Sequence, residues 1–240
     1  MAPMDASSVK GQVTLVAGAA KAGPRTFEAG LPARIAQGAA ALAALLVFAL
    51  PAFLTTVLVW FSLGRPLLFR QVRSGLGGRP FMLVKFRTMH DTRNAAGQLL
   101  PDAERQTAVT RFIRAVRLDE IPQLLMVLAG DMNFVGPRPL QPATIAAFGP
   151  LGEVRSQVRP GLTGWAQVNG NTRLSDVEKL ALDIWYIDHR SIALDARILL
   201  STATTLIGGE SISAKTLAAA MAHLATRSSA PVAEISAGSV

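Results

Sequence analysis

The sequence predicts a mostly helical α/β protein, in which a proline-broken re-entrant membrane helix precedes a small membrane-surface domain. Three observations support this fold class. The stretch from Ile35 to Gly64 carries no charge. Two strand-like runs flank a glycine-rich turn at residues 75–78, which indicates a short β-hairpin. Apolar residues recur at helical spacing in residues 175–188 and 191–207, which predicts amphipathic helices.

The uncharged stretch is long enough to cross a bilayer core, which takes about 20 apolar residues. Pro51 interrupts it near the middle, where a proline removes a helix hydrogen bond and clashes with the preceding turn. Each half is then too short to cross the membrane as a straight helix. Basic residues flank both ends, namely Lys21, Arg25 and Arg34 before it and Arg65, Arg70, Arg73 and Arg79 after it. Because positive flanks stay in the cytoplasm, we expect a re-entrant hairpin; a single kinked spanning helix stays open as the alternative.

The remaining elements follow from local composition and periodicity. The predicted organisation is a disordered leader (1–33), the membrane hairpin (34–64), a membrane-surface domain (65–210) and an Ala/Ser-rich tail (211–240). Within the domain and tail we expect a hairpin over 69–87, helices over 103–117, 118–128, 175–188, 191–207 and 216–225, and irregular segments over 133–142 and 150–171.

Composition narrows the classes of partner. The chain has 24 Lys and Arg against 16 Asp and Glu, a formal net charge of +8, which suits nucleic acid, an anionic membrane or phosphorylated substrates. Tyr186 is the single tyrosine, and the sequence lacks zinc spacing and a recognition-helix motif. Nucleic acid is therefore not an expected partner. Cysteine is absent, which excludes disulfides and cysteine metal sites.

Four short clusters carry residues suited to phosphate chemistry. They are Lys85-Phe-Arg-Thr-Met89, the run from Arg111 to Gln123, Gly136-Pro-Arg-Pro139, and the loop from Pro160 to Gly170. The second sets the adjacent acids Asp119 and Glu120 beside three arginines. Each cluster alone is as consistent with a solvated surface or a loop as with a site, and Lys85 and Arg87 could simply pack against acids such as Asp131.

Together, in this order behind a broken hydrophobic segment, the clusters resemble the bacterial sugar transferase family, the monotopic polyprenyl-phosphate phosphoglycosyl transferases. The resemblance runs from about Leu50 to Ile207, and the short chain is similar to the minimal members that initiate exopolysaccharide synthesis. The matching motifs are Lys-Phe-Arg-Thr-Met, Leu-Asp-Glu-Ile-Pro-Gln-Leu, Gly-Asp-Met-Asn-Phe-Val-Gly-Pro-Arg-Pro-Leu and Pro-Gly-Leu-Thr-Gly-Trp-Ala-Gln-Val-Asn-Gly.

The resemblance implies a reaction and a place in the cell. Asp119 would attack the sugar-linked phosphate of a UDP-sugar, release UMP and hold a covalent phospho-sugar until undecaprenyl phosphate takes it, with Glu120 assisting as a base. It implies Mg²⁺ bound in part by Asp119. The expected location is the bacterial inner membrane, with the catalytic domain on its cytoplasmic face in contact with membrane lipids. Whether the protein forms a homodimer stays open.

The resemblance also assigns further residues. It places substrate- and phosphate-binding roles on Lys85, Arg87, Arg114, Pro137, Arg138 and Arg173, and the membrane-helix break on Pro51. Family members usually carry Arg where this chain has Asn171, and Ser where it has Arg117, and the Lys-Arg-x-x-Asp often seen at the start of the membrane helix is missing. Two other classes stay open: a non-catalytic scaffold on anionic lipid, and a direct glycosyltransferase that releases UDP.

Overall fold

The computed structural model describes residues 30–229, so most of the predicted leader and the end of the predicted tail lie outside the described residues. The elements in chain order are α1 (Leu31–Val47), α2 (Ala49–Leu63), β1 (Leu68–Ser74), β2 (Pro80–Phe86), α3 (Ala108–Ala115), a 3₁₀ helix (Leu118–Gln123), α4 (Leu124–Ala129), β3 (Asn133–Val135), α5 (Pro142–Ala147), α6 (Pro150–Arg155), β4 (Gly161–Thr163), α7 (Trp165–Val168), α8 (Asp176–Asp188), α9 (Ile192–Gly208) and α10 (Ala214–Ser229).

The apolar N-terminal segment is a bent pair of helices. Helices α1 and α2 meet at Phe48 with a bend of 58°. The break precedes Pro51 because the proline ring clashes with the carbonyl four residues earlier, that of Val47, the last residue of α1. No single helix within residues 30–229 has the length and apolar character to cross a membrane, whereas the bent pair taken together does. Large apolar side chains project outward from both helices, among them Leu42 and Leu46 on α1 and Phe53 and Phe61 on α2.

The predicted β-hairpin is confirmed. Strands β1 and β2 pair antiparallel from Leu68 opposite Phe86 to Ser74 opposite Pro80. The turn between them contains Gly77, whose φ of 63° lies in the left-handed region that favours glycine. Strand β2 packs on the 3₁₀ helix, so the hairpin supports the segment that carries Asp119 and Glu120.

Residues 133–142 and 150–171, predicted as irregular, contain more structure than expected. Strands β3 and β4 form a parallel pair of three residues each, and α5, α6 and α7 are short helices around it. The two backbones approach so closely at this pair that a Cβ on Gly161 would lie 2.1 Å from the nitrogen of Gly136. Such strands are too short to show an alternating pattern, so the glycines read as loop signals only.

The main core surrounds α8, a helix predicted almost to the residue. A capping box between Ser175 and Glu178 begins it, and its Leu180 and Ile184 are fully buried. Helix α10 packs against α8, with Leu224 in the same core cluster. The predicted tail helix over 216–225 is thus present, but its contacts with α8 make residues 214–229 part of the globular unit.

Candidate active site

The two adjacent acids lie on the 3₁₀ helix that follows α3. Arg117 precedes this helix in the left-handed conformation, with φ 55°. A 3₁₀ helix has three residues per turn, so Asp119 and Glu120 point about 120° apart around its axis. Both are buried, with exposed fractions of 5% and 9%. The two carboxylates therefore have different neighbours.

A cavity of about 410 Å³ opens beside these acids. It is lined by Lys85, Arg114, Ala115, Arg117, Asp119, Glu120, Arg138, Asn171, Thr172, Thr205, Leu206, Gly209 and Glu210. Four of the lining residues are cationic and three are acidic, so the cavity can accept an anionic ligand without leaving a large uncompensated charge. Three separate motifs of the sequence, and the end of α9, meet here.

Asp119 is the uncommitted acid of the cavity. Within residues 30–229 its carboxylate makes no hydrogen bond or ion pair. Burial is the main cause that raises the pKa of Asp119 to about 6, and the nearby Glu120 carboxylate raises it further. Lys85, Arg114 and Arg138 act in the opposite direction, yet do not cancel the burial. At neutral pH the carboxylate is ionised and desolvated, as a nucleophile requires.

Glu120 is held by two arginines. Its Oε1 accepts a hydrogen bond from Nη2 of Arg138 at 2.8 Å, and its Oε2 lies 3.6 Å from Nη1 of Arg117. Burial pushes the pKa of Glu120 upward, but the two guanidinium groups outweigh this and hold it below its ordinary value. An ionised, paired carboxylate of this kind orients the arginines better than it accepts protons.

Two further cations face Asp119 from different elements. Lys85 lies near the end of β2 with its Nζ 5.4 Å from the ring centre of Phe69, and burial is the main cause that lowers its pKa. Arg114, on α3, donates a long hydrogen bond of 3.4 Å to the buried Thr88 hydroxyl. The hairpin and α3 thus supply one cationic wall of the cavity.

The loop carrying Arg138 is fixed from behind by backbone contacts. The carbonyl of the buried Pro137 accepts from the amide of Gly161 at 3.0 Å. The carbonyl of Arg138 accepts from Nη2 of Arg155 at 2.5 Å, and Arg155 is itself paired with the buried Asp183. The side chain of Arg138 remains 42% exposed toward the cavity. A rigid backbone therefore presents a guanidinium group that a ligand can still reach.

Three residues that the resemblance assigns to substrate binding do not line the cavity: Arg87, Arg173 and the buried Pro137. Because β2 ends at Phe86, Arg87 does not continue its face. Arg87 instead donates to the carbonyls of Leu63 and Gly64, at 2.6 and 3.1 Å, and so caps the end of α2. Arg173 is exposed and lies outside the lining of the cavity.

The structure adds Glu210, Thr172 and Arg117 to the site. The sequence contained no local signal for Glu210, because its partners lie 38 and 39 residues earlier in the chain. Arg117 and Asn171 are the two positions at which the motifs depart from the family pattern, and both side chains meet the Glu210 carboxylate.

The side-chain oxygens of the cavity determine whether the expected Mg²⁺ could bind there. No group of three or more His, Cys, Asp or Glu side chains that could hold a metal ion converges within residues 30–229. Glu120 and Glu210 are engaged by arginines and amides, which leaves the Asp119 oxygens. Mg²⁺ in phosphate-handling sites commonly takes one or two carboxylates together with substrate oxygens and water. The residues therefore fit a Mg²⁺ that binds together with a diphosphate ligand.

Comparison of the sequence with known proteins identifies its family. A family model described as "Bacterial sugar transferase" matches residues 30–209. The chain is 46% identical over 158 residues to an uncharacterized sugar transferase, EpsL, of Bacillus subtilis. It is 44% identical over 152 residues to a UDP-glucose:undecaprenyl-phosphate glucose-1-phosphate transferase of Caulobacter vibrioides. It is 37% identical over 176 residues to a UDP-N-acetylgalactosamine-undecaprenyl-phosphate N-acetylgalactosaminephosphotransferase of Aeromonas hydrophila.

These alignments cover 66%, 59% and 68% of this chain, in the same order. They cover 78% of the Bacillus protein, but 57% of the Caulobacter protein and 42% of the Aeromonas protein. The family model covers every residue that lines the cavity except Glu210. The chain spans about half the length of the two relatives with named substrates.

Proposed function

Because the chain belongs to the bacterial sugar transferase family, we propose that it transfers a sugar 1-phosphate from a UDP-sugar to undecaprenyl phosphate and releases UMP. The observation that carries this proposal is the uncommitted Asp119 carboxylate, buried at a cavity wall among Lys85, Arg114 and Arg138. The names of the Caulobacter and Aeromonas relatives describe this reaction with two different sugars, which supports the reaction without selecting the sugar.

The reaction proceeds in two displacements at phosphorus. An Asp119 oxygen attacks the phosphorus bonded to the sugar; the bond from that phosphorus to the bridging oxygen breaks, and UMP leaves with that oxygen. The phospho-sugar remains on Asp119 as an acyl phosphate. A phosphate oxygen of undecaprenyl phosphate then attacks the same phosphorus, the bond to Asp119 breaks, and the lipid diphosphate sugar leaves. Two half-reactions that share one carboxylate give ping-pong kinetics.

The cations of the cavity hold the phosphates through both steps. Guanidinium groups bind phosphate oxygens through two parallel hydrogen bonds. Arg114 presents such a group from α3, and Arg138 presents one from the loop after β3. Glu120 keeps Arg138 in place through their 2.8 Å hydrogen bond. Its lowered pKa favours this orienting role over that of a general base.

Mg²⁺ belongs to the same proposal. Asp119 would contribute a protein oxygen to the ion, and the donor diphosphate the others. When bound, the ion neutralises charge that develops on the departing UMP. The remaining positive charge comes from Lys85, Arg114 and Arg138, which are part of the cavity already.

The bent helix pair suits an enzyme that meets a lipid substrate. We propose that α1 and α2 enter and leave the cytoplasmic face of the inner membrane as a re-entrant hairpin. Their outward apolar residues, such as Phe53 and Phe61, contact lipid, and the domain rests at the headgroup level, where a lipid phosphate and a cytoplasmic nucleotide sugar can both reach it. The product would begin the membrane stage of exopolysaccharide or another surface glycoconjugate.

The re-entrant topology has a direct test, since the sequence contains no native cysteine. Single cysteines replace Leu31 and Arg65, at the two ends of the helix pair, and Ala95, in an exposed loop of the domain, serves as the control. We expect an impermeant maleimide to label all three in inside-out vesicles and none in intact spheroplasts. Labelling of the two ends from opposite sides would instead establish a kinked spanning helix.

The reaction is tested by identifying the nucleotide product. The full chain in lipid nanodiscs is incubated with undecaprenyl phosphate, Mg²⁺ and a panel of UDP-sugars that includes UDP-glucose and UDP-N-acetylgalactosamine. We expect UMP to form in equal amount to a lipid diphosphate sugar with at least one donor. UDP as the product would identify a direct glycosyltransferase. No nucleotide product with any donor, with binding to anionic vesicles retained, would identify a scaffold.

A further inference from the structure

Glu210 connects two segments at the mouth of the cavity. It follows the end of α9, just after Gly209, whose φ of 81° lets the chain turn back. One oxygen of its carboxylate accepts from the side-chain amide of Asn171 at 2.5 Å. The other accepts from the backbone amide and the hydroxyl of Thr172, at 3.1 and 2.5 Å. A single carboxylate thus ties the end of α9 to the loop after α7.

The same carboxylate reaches the segment that carries the catalytic acid. Nη2 of Arg117 lies 3.8 Å from Oε1 of Glu210, and Nη1 lies 3.6 Å from Oε2 of Glu120. Both separations exceed the range of a hydrogen bond, so the guanidinium group interacts with the two carboxylates through charge and not through hydrogen bonds. Its N–H groups therefore stay available to a ligand in the cavity that Arg117 lines.

The backbone at these contacts is strained. Arg117 and Asn171, with φ of 55° and 42°, are the two non-glycine residues with positive φ within residues 30–229. Such conformations cost on the order of 1 kcal/mol or more and persist where surrounding contacts hold them. Both side chains converge on Glu210, although the residues lie far apart in the chain. The convergence indicates that Glu210 holds two strained segments in the positions that face the cavity.

We propose that Arg117 is a further phosphate-binding residue of the donor site and that Glu210 is the residue that positions it. This inference rests on the proposed function for the identity of the donor. The charge of Arg117 is balanced by Glu120 and Glu210. When the diphosphate binds, its oxygens accept hydrogen bonds from the N–H groups of Arg117. The two carboxylates meanwhile keep the guanidinium group from turning toward solvent.

Binding of UDP, in the presence of Mg²⁺, measures this arrangement without depending on the sugar. The full chain in nanodiscs is compared with Arg117→Gly, Glu210→Ala and the double variant, and Glu153→Gln, at an exposed site on α6, is the control. Glycine suits the left-handed conformation at position 117, so this variant keeps its fold. We expect each single variant to bind UDP about tenfold more weakly, the cost of a lost charged hydrogen bond, and the control to bind normally.

The double variant separates positioning from independent effects. If Glu210 acts through Arg117, the double variant binds UDP about tenfold more weakly and not a hundredfold, because the second change removes nothing further. With the accepted donor, the variants raise KM and leave kcat within about threefold. The inference would be overturned if Arg117→Gly bound UDP as tightly as the wild type, or if the double variant lost UDP affinity by the product of the two single losses. Either result leaves the proposed reaction standing as long as the wild type releases UMP. Absence of UMP from the wild type would contradict the proposed reaction and leave the UDP measurement interpretable.

Discussion

Replacing Asp119 with asparagine is expected to lower the rate of UMP release by about 10⁴-fold or more, the scale seen when a covalent nucleophile is removed. Asparagine keeps the size of the side chain and removes the negative charge of the proposed nucleophile. With a donor radiolabelled in the sugar, we expect the wild type to retain label on the protein after an acid quench and Asp119→Asn to retain none. UDP binding should persist, because the cations of the cavity are intact.

A matched control for this variant is Asp131→Asn, which changes an exposed acid outside the cavity lining and should preserve UMP release. Stability measurements in EDTA, which keeps metal ions away from Asp119, would show whether a loss of activity comes from unfolding. Burial and Glu120 raise the pKa of Asp119 to about 6, so the folded state holds a proton that the unfolded state releases near pH 4. The wild type therefore loses stability as pH rises from about 4 to 6.

Asp119→Asn lacks this ionisation. We expect it to match the wild type near pH 4 and to exceed it by up to about 3 kcal/mol above pH 6. Urea unfolding at pH 4.5 and pH 8 measures the difference. Substantial UMP release by Asp119→Asn, or label that survives on the protein, would remove Asp119 from the role of nucleophile.

The elements that the sequence predicts well have local causes. Pro51 breaks the apolar segment because its ring excludes the helical hydrogen bond of its own turn, wherever that turn lies in the fold. The capping box at Ser175 and the apolar residues at helical spacing predict helix α8. Asp119 and Arg138 were assigned from contiguous motifs, and the structure brings both to one cavity.

The elements that the sequence does not predict depend on contacts between distant segments. The pairing of β3 with β4 requires glycines that lie 25 residues apart, Gly136 and Gly161, to face one another. Glu210 joins the cavity through residues on a different loop. Arg87, to which the resemblance gives a phosphate-binding role, instead donates to the carbonyls of Leu63 and Gly64 at the end of α2. No local pattern records such contacts, so they follow only from the packed chain.

The buried ion pair behind the active site provides the second large effect. Arg155 and Asp183 have side chains 5% and 4% exposed, and their N–O distance is 2.8 Å. Burial is the main cause that raises the pKa of Asp183, and Arg155 opposes it. Arg155→Met leaves this carboxylate buried without its partner, which costs about 3–5 kcal/mol. Urea unfolding at pH 8 should show this loss, with the surface variant Arg79→Met unchanged.

A double variant separates the stability of this pair from its influence on the cavity. Arg155→Met with Asp183→Leu replaces the ion pair by apolar side chains of similar volume, and such exchanges are often neutral or stabilising. We expect the free energy of unfolding to return to within about 1 kcal/mol of the wild type. The carbonyl of Arg138 still lacks its donor, so kcat/KM should remain about tenfold or more below the wild type, because small displacements of a phosphate-holding group are costly. If the double variant recovers both stability and full activity, Arg155 does not set the position of Arg138. If it is stable but transfers the sugar phosphate slowly, the buried pair maintains the geometry of the cavity through the Arg138 carbonyl.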